Sequence, residues 1–263
     1  MKLIALDIDG TVLSETGELH DDTLAAVARA RRLGHEVMLA TGRSVALTLP
    51  VLDRLRITPE YVVCANGAIT LRRDPAAPTG YSREWVETFD PRETLLTIKQ
   101  YLDTATFLVE DEAGLQLYLG DVPDGVLAGA SEQVTFEQLL DVRATRVVVL
   151  SPDHELDEFL DIVSRMGLHQ VSYNVGWAAW LDVAPQGVNK ATALERVRET
   201  LGVDRAEVIA IGDGRNDLEM LQWAGAFGRG IAMGQSPDEV LAAASEVTGA
   251  GSDVGVAQAL AAL

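Results

Sequence analysis

The feature that most constrains this chain is a short apolar run, residues 3–6, that ends in the acidic segment DIDGT at residues 7–11. A run this short, bounded by a glycine, is typical of a buried parallel strand. Asp7 and Asp9 therefore lie where a strand ends, and in open α/β sheets ligands bind at the carboxyl ends of strands. Because like charges repel and are costly to desolvate, the pair indicates either a bound cation or a shared chemical task.

Three other segments join this one: a second acidic strand end, a third strand end with a hydroxyl, and a helix start with a lysine. Residues 208–211 form a short apolar run that continues into GDGRND at 212–217, residues 37–40 lead into TGR at 41–43, and Lys190 begins a stretch with helical apolar spacing. The four segments supply carboxylates, one hydroxyl and one ammonium. Carboxylates suit Mg²⁺, whereas a hydroxyl and an ammonium suit phosphoryl oxygens. The set predicts Mg²⁺-assisted phosphoryl transfer through a carboxylate nucleophile.

The order of predicted elements indicates an α/β fold in two parts. Strands and helices alternate over residues 3–65 and again after Lys190, which is typical of a doubly wound parallel sheet. Residues 74–80 have linker composition, and the segment after them mixes strands with amphipathic helices. We therefore predict a core made of residues 1–81 and 185–263, with an inserted α+β domain at residues 82–184.

Composition limits the classes of partner. The chain has 263 residues and a net charge of −19, which argues against binding to nucleic acids and to anionic membrane surfaces. Its apolar runs are far shorter than the roughly 20 residues of a membrane-spanning helix. Cys64 is the only cysteine, so no internal disulfide can form. We expect a cytoplasmic protein whose partner is a small phosphorylated metabolite.

The four segments, in this order, resemble the motifs of phosphatases in the haloacid dehalogenase (HAD) superfamily. The segments ATGR at 40–43, ANGA at 65–68 and DVGVA at 253–257 are similar to those of its Cof-like branch. The resemblance extends over the whole chain. It implies a Rossmann-like core and an inserted C2-type cap that covers the active site.

The resemblance also implies a role for each residue of the site. The implied catalytic residues are Asp7 as nucleophile, Asp9 as general acid and base, and Thr41 and Lys190 as contacts of the phosphoryl group. The implied Mg²⁺ ligands are Asp7, Asp9 through its backbone carbonyl, Asp213 and Asp217, the last of which could instead anchor Lys190. The implied substrate-binding residues are Thr11, Arg43, Asn66 and Asn216, although Arg43 could instead pair with an acid.

Several functions are compatible with these residues. The first is a Mg²⁺-dependent phosphatase that hydrolyses small phosphomonoesters, such as sugar phosphates, through an aspartyl-phosphate. Phosphatases of phosphoglycolate, mannosyl-3-phosphoglycerate and sucrose phosphate share related caps and stay open as alternatives. An alternative of another class is a non-hydrolytic phosphoacceptor or ligand-binding module that is phosphorylated on Asp7. The insertion and Asp9 argue against this last class, since such a module needs neither a lid nor a group that hydrolyses the intermediate.

Overall fold

The structure of the chain is a computed structural model that describes residues 1–14, 16–168, 171–175, 179–251 and 254–263. Asp253, in the segment 253–257, lies outside the described residues. The contacts between Cα atoms divide the chain into two compact units. The first unit comprises Met1–Arg43, Leu47–Trp85 and Asn189–Leu263, and the second comprises Ser44–Ala46 and Val86–Val188. No helix in the described ranges is long and apolar enough to cross a membrane.

Strands and helices alternate along both ends of the chain. The strands are β1 (Leu3–Leu6), β2 (Glu36–Leu39), β3 (Tyr61–Cys64), β4 (Ile69–Arg73), β5 (Tyr81–Val86), β6 (Thr106–Asp111), β7 (Gln116–Leu119), β8 (Ser131–Gln133), β9 (Ala144–Leu150), β10 (Val171–Val175), β11 (Trp180–Pro185), β12 (Val208–Gly212), β13 (Arg229–Ala232) and β14 (Glu246–Val247). The helices are α1 (Asp21–Arg32), α2 (Val45–Leu55), α3 (Arg92–Tyr101), α4 (Phe136–Leu139), α5 (Leu156–Met166), α6 (Lys190–Leu201), α7 (Leu218–Gly225), α8 (Asp238–Ala243) and α9 (Gly255–Ala259).

The first unit is built on a five-stranded parallel sheet with the order β14-β13-β12-β1-β2. Leu6 pairs with Ile211 of β12 on one side and with Leu39 of β2 on the other, so the three strands end at the same level. The strand order reverses at β1, and such a switch point is where α/β sheets form their ligand crevices. Helix α1 contacts α9 and β2, whereas α6 contacts α7 and β3. This is the doubly wound α/β core that the sequence predicts.

Strand β3 takes part in two pairings. On one side it runs parallel to the end of β2: among the described residues, Val63 bridges Ala40, the residue after β2, and the Val63 carbonyl accepts the N–H of Thr41. On the other side it pairs with β4 in an antiparallel hairpin, within a three-stranded sheet of order β3-β4-β5. The alternation of elements does not predict this hairpin, which follows from the turn at Asn66 and Gly67, both with positive φ.

The second unit is an α+β structure around a six-stranded sheet of order β10-β11-β9-β6-β7-β8. Its pairs are antiparallel except for β7 and β8, which run parallel. Helices α3 and α5 contact each other, and Leu95 and Phe159 from these helices share a buried core with Phe107 and Val149 from the sheet. The main segment of this unit lies a few residues further along the chain than the predicted domain at 82–184.

Candidate active site

Adjacent strand ends bring the acidic residues together. Asp7 follows β1 and Asp213 follows β12, and these strands are neighbours in one parallel sheet. Asp217 lies one short turn beyond Asp213. Carboxylate oxygens of these three residues lie within 4.8 Å of one another, and all three side chains are buried. Residues more than 200 positions apart in the chain thus form one acidic cluster.

Lys190 provides the positive charge inside this cluster. Helix α6 begins at Lys190 because Asn189 caps it: Asn189 Oδ1 accepts the N–H of Thr192, and Thr192 Oγ1 accepts the N–H of Asn189. The Lys190 side chain is fully buried. Its Nζ lies 2.6 Å from Asp7 Oδ1 and 2.6 Å from Asp217 Oδ1. Both contacts are buried ion pairs, which an ammonium needs when it leaves water.

The cluster holds more carboxyl groups than ammonium groups. Burial raises the pKa of Asp7 well above its usual range; Asp217, Asp213 and Asp9 raise it further, and Lys190 opposes them. Burial lowers the pKa of Lys190, but Asp217 and Asp7 raise it by more, so its net pKa lies above the ordinary value. Lys190 therefore stays charged, and one ammonium is left to balance three buried carboxyl groups.

Asp213 shows the effect of this imbalance most directly. Burial and the charge of Asp217 raise the pKa of Asp213 to about 7, although Thr11 donates a hydrogen bond to its Oδ1 at 2.8 Å. Among the described residues, the second carboxylate oxygens of Asp7 and Asp213 accept no hydrogen bond. A divalent cation suits such oxygens and would supply the missing positive charge, so the residues fit Mg²⁺.

Both carboxylate oxygens of Asp217 are already engaged. Oδ1 binds Lys190, and Oδ2 accepts the backbone N–H groups of Asp213 and Gly214 at 3.0 and 2.9 Å. Of the two roles predicted for Asp217, this geometry favours the anchor of Lys190. The same contacts hold the turn that presents Asp213.

Asp9 lies apart from the buried cluster. Its side chain is 62% exposed, and both of its carboxylate oxygens bind the guanidinium of Arg43. Arg43 therefore pairs with an acid, which was one of its two predicted roles. A contact of Arg43 with substrate stays a prediction.

The other predicted substrate-binding residues come from neighbouring turns. Asn216 Nδ2 donates to Asn66 Oδ1 at 3.0 Å, and a Cβ atom on Gly42 would lie 3.1 Å from that same Oδ1. Thr41 is buried; its Oγ1 accepts the N–H of Arg43, and its carbonyl accepts the N–H of Asn66. In the described part of the chain, the Thr41 hydroxyl donates no hydrogen bond. Contacts with substrate stay predictions for four residues: Thr11, Thr41, Asn66 and Asn216.

Sequence reasoning missed Gln235. Its Nε2 donates to the carbonyl of Gly10 at 2.6 Å, and its Oε1 accepts the N–H of Gly251 at 3.0 Å. The side chain thus ties the turn after Asp9 to a loop near the C-terminus. One sequence signal points to this residue. Gln235 lies shortly after the end of β13, just as the aspartates lie shortly after the ends of β1 and β12.

Comparison with known proteins agrees with this geometry. The model of a family described as haloacid dehalogenase-like hydrolase matches residues 4–260. The chain belongs to this family. The expected superfamily, fold class and hydrolase character are thereby confirmed.

Three relatives show how far the similarity extends. The 5-amino-6-(5-phospho-D-ribitylamino)uracil phosphatase YitU of Bacillus subtilis is 26% identical, over 98% of this chain and 96% of that protein. The pyridoxal phosphate phosphatase YbhA of Escherichia coli is 28% identical, over 98% and 96%. The structure of the sugar phosphatase BT4131, described as HAD subclass IIB, covers 99% of this chain and 98% of its own, with a TM-score of 0.82 at 21% identity. That structure supports the fold alone.

Proposed function

We propose that this protein is a Mg²⁺-dependent phosphatase that hydrolyses small phosphomonoesters, sugar phosphates among them, through an aspartyl-phosphate on Asp7. The observation that carries the proposal is the buried contact of Lys190 Nζ with Asp7 Oδ1 at 2.6 Å. An ammonium at that position lowers the charge that a phosphate dianion meets when it approaches the carboxylate. The phosphatase activities in the names of YitU and YbhA support the same reaction class.

In the proposed reaction, the residues of the chain carry out two steps. First, Asp7 attacks phosphorus and the ester P–O bond breaks, while Asp9 gives its proton to the leaving oxygen. Second, water attacks the phosphorus of the aspartyl-phosphate and gives a proton to Asp9. The bond from phosphorus to Asp7 then breaks and inorganic phosphate leaves. Lys190 and Thr41 contact the phosphoryl oxygens in both steps.

The proposed metal site consists of Asp7, Asp213 and the backbone carbonyl of Asp9, with Asp217 holding Lys190 and the turn. A bound divalent cation supplies charge neutralisation between the carboxylate nucleophile and the phosphoryl oxygens. Two observations support these ligands. Within the described part of the chain, one carboxylate oxygen each of Asp7 and Asp213 accepts no hydrogen bond, and three buried carboxyl groups share a single ammonium there.

The proposed substrates are small metabolites with one phosphate group. The net charge of −19 supports this choice, since it disfavours the approach of polyanions. We propose Thr11, Arg43, Asn66 and Asn216 as residues near the substrate. The proposal includes a cytoplasmic location, which the single cysteine supports.

The test is a screen for release of inorganic phosphate from a panel of phosphorylated metabolites with added MgCl₂. We expect hydrolysis of monophosphates, its loss with EDTA, and its recovery when MgCl₂ is restored. Asp7→Asn is the matched variant, because it keeps the shape of the side chain and removes the nucleophile. Stable phosphorylation of Asp7 without phosphate release would contradict the proposal and favour a phosphoacceptor.

A further inference from the structure

Arg43 holds the Asp9 carboxylate at two points. Its Nε lies 2.8 Å from Asp9 Oδ2, and its Nη2 lies 2.5 Å from Asp9 Oδ1. Two parallel N–H···O bonds fix the plane of a carboxylate as well as its distance. Since 62% of the Asp9 side chain is exposed, the surrounding packing does little to fix its orientation. The guanidinium is thus the main restraint on that orientation.

The guanidinium is itself held from several sides. Its third nitrogen, Nη1, lies 3.5 Å from the carbonyl of Leu47, at the start of helix α2. The Arg43 N–H donates to Thr41 Oγ1, and the Arg43 carbonyl accepts the N–H of Ala65. These contacts join the turn after β2 to the turn after β3. Arg43 is therefore anchored to the sheet that carries Asp7, unlike an arginine on a free surface loop.

We propose that Arg43 is a positioning residue that orients Asp9 for proton transfer to the leaving group. This inference rests on the proposed function, in which the ester P–O bond breaks as the Asp9 proton moves to the ester oxygen. A carboxyl group has about four lone-pair sites, and the two bonds from Arg43 occupy only two of them. One remaining site can carry the proton while Arg43 keeps the group in place.

Leaving groups of different basicity separate this role from binding of the phosphoryl group. The p-nitrophenolate ion leaves readily without a proton, whereas the benzyl alkoxide has to be protonated as it leaves. p-Nitrophenyl phosphate and benzyl phosphate each carry one aromatic ring and one phosphate, so they should bind similarly. They differ mainly in whether the leaving group needs a proton. The ratio kcat/KM covers the steps up to phosphoryl transfer to Asp7, so hydrolysis of the intermediate does not affect it.

The experiment compares Arg43→Gln with the wild-type protein on both substrates. We expect kcat/KM for benzyl phosphate to fall by about 10-fold to 100-fold, because general acid catalysis contributes about 100-fold or more. For p-nitrophenyl phosphate we expect a fall of less than about 3-fold by the same reasoning. Arg43→Lys keeps the charge but cannot form the two-point contact, so it should retain the selective defect.

A double variant tests whether Arg43 acts through Asp9. Asp9→Asn alone should lose most activity toward benzyl phosphate. Adding Arg43→Gln should leave the ratio of kcat/KM for the two substrates as it is in Asp9→Asn, because coupled residues are not additive. A further selective loss in the double variant would show that Arg43 acts independently of Asp9.

The first unit offers a matched control. Arg229 forms the same two-point contact with Glu246, with both N···O distances at 2.7 Å, and its Nη1 also contacts a backbone carbonyl, that of Ala259. Arg229 is the first residue of β13, so it lies at the amino-terminal ends of the parallel strands, whereas the acidic cluster lies at their carboxyl ends. Arg229→Gln should leave both kcat/KM values unchanged.

The outcomes separate the inference from the proposed function. If the wild-type protein hydrolyses neither ester, the proposed function fails. If it hydrolyses both, and Arg43→Gln lowers the two kcat/KM values by the same factor or leaves both unchanged, the inference alone is overturned. Full recovery of benzyl phosphate hydrolysis in Arg43→Lys would also overturn it.

Discussion

Lys190 Nζ lies 2.6 Å from Asp7 Oδ1, although 183 positions separate the two residues in the chain. The contact exists because a capped helix start and a central strand end meet at one edge of the sheet. It also makes the site depend on Lys190, because this one buried ammonium pairs with both Asp7 and Asp217.

Lys190→Met should therefore lower the stability of the protein as well as its activity. Removing one partner of a buried ion pair leaves the other uncompensated, which costs about 3–5 kcal/mol. Urea denaturation would measure the loss, and the phosphatase rate should fall by at least about 100-fold. Lys2→Met is the control: its pair with Glu207 is partly exposed, so the change should stay within about 1 kcal/mol. A fully stable, active Lys190→Met protein would refute the assigned role.

Asp213→Asn and Asp217→Asn should have different effects. No hydrogen bond from the described residues reaches Asp213 Oδ2, so Asp213→Asn should weaken Mg²⁺ activation and raise the Mg²⁺ concentration for half-maximal rate by about 10-fold or more. Both oxygens of Asp217 contact donors, so an amide there must lose at least one contact, and stability should fall by about 1–3 kcal/mol. Mg²⁺ titrations and urea denaturation of both variants would test this. The opposite pattern would make Asp217 the ligand.

The metal-free protein should lose stability as pH rises from about 4 to about 7. Asp213 has its pKa raised to about 7 in the folded state, against about 3.9 in an unfolded chain. Within this window the folded state binds the proton that the unfolded state releases, so the free energy of unfolding falls with pH, and above the window this contribution is constant. Thermal denaturation in EDTA across this range should show the trend, and Asp213→Asn should flatten it.

Mg²⁺ should offset this loss, and most strongly at high pH. A cation that binds the charged carboxylates stabilises the folded state, and below about pH 7 it competes with the proton on Asp213. The rise in melting temperature on adding MgCl₂ should therefore be larger at about pH 8 than at about pH 5. An equal rise at both values would place the cation away from Asp213.

Gly10→Ala should disrupt the site more than a glycine replacement elsewhere. Gly10 has φ of +80°, and a Cβ atom there would lie 2.1 Å from Asp213 Oδ2. Gly34 is the control, because its φ is +82° and a Cβ atom would meet nothing within 4 Å. We expect Gly34→Ala to cost about 1–2 kcal/mol, from the backbone conformation alone. Gly10→Ala should lower the free energy of unfolding by more than this and abolish phosphate release. Equal losses of stability in the two variants would show that the turn can shift to accommodate the methyl group.

The first-unit architecture and its cluster follow from local sequence patterns. Short apolar runs that end in acidic turns predict parallel strands, and strand ends in such sheets lie along one edge. For that reason the sequence alone predicts that Asp7 and Asp213 lie together. The helix that begins at Lys190 was equally accessible, because the apolar residues after it follow helical spacing.

Other features depend on tertiary contacts that have no local pattern. Strand β4 was missed because the turn at Asn66 was treated as the end of a core strand, whereas the reversal creates a hairpin. The contact of Gln235 with Gly10 joins residues that are 225 positions apart; the position of Gln235 after β13 places it near the site, but no sequence pattern identifies its partner. The pairing of Arg43 with Asp9 was one of two possibilities in the sequence, and only side-chain geometry distinguishes them.

The chain leaves the first unit after Trp85 and returns to it at Asn189. The segment between these two residues contains none of the four buried charged residues of the site (Asp7, Lys190, Asp213 and Asp217) and none of the side-chain contacts described above among them. Mutations, insertions and deletions can therefore accumulate within it while the reacting groups keep their mutual distances. Such a division lets natural selection vary one part of the gene while the chemistry is inherited intact.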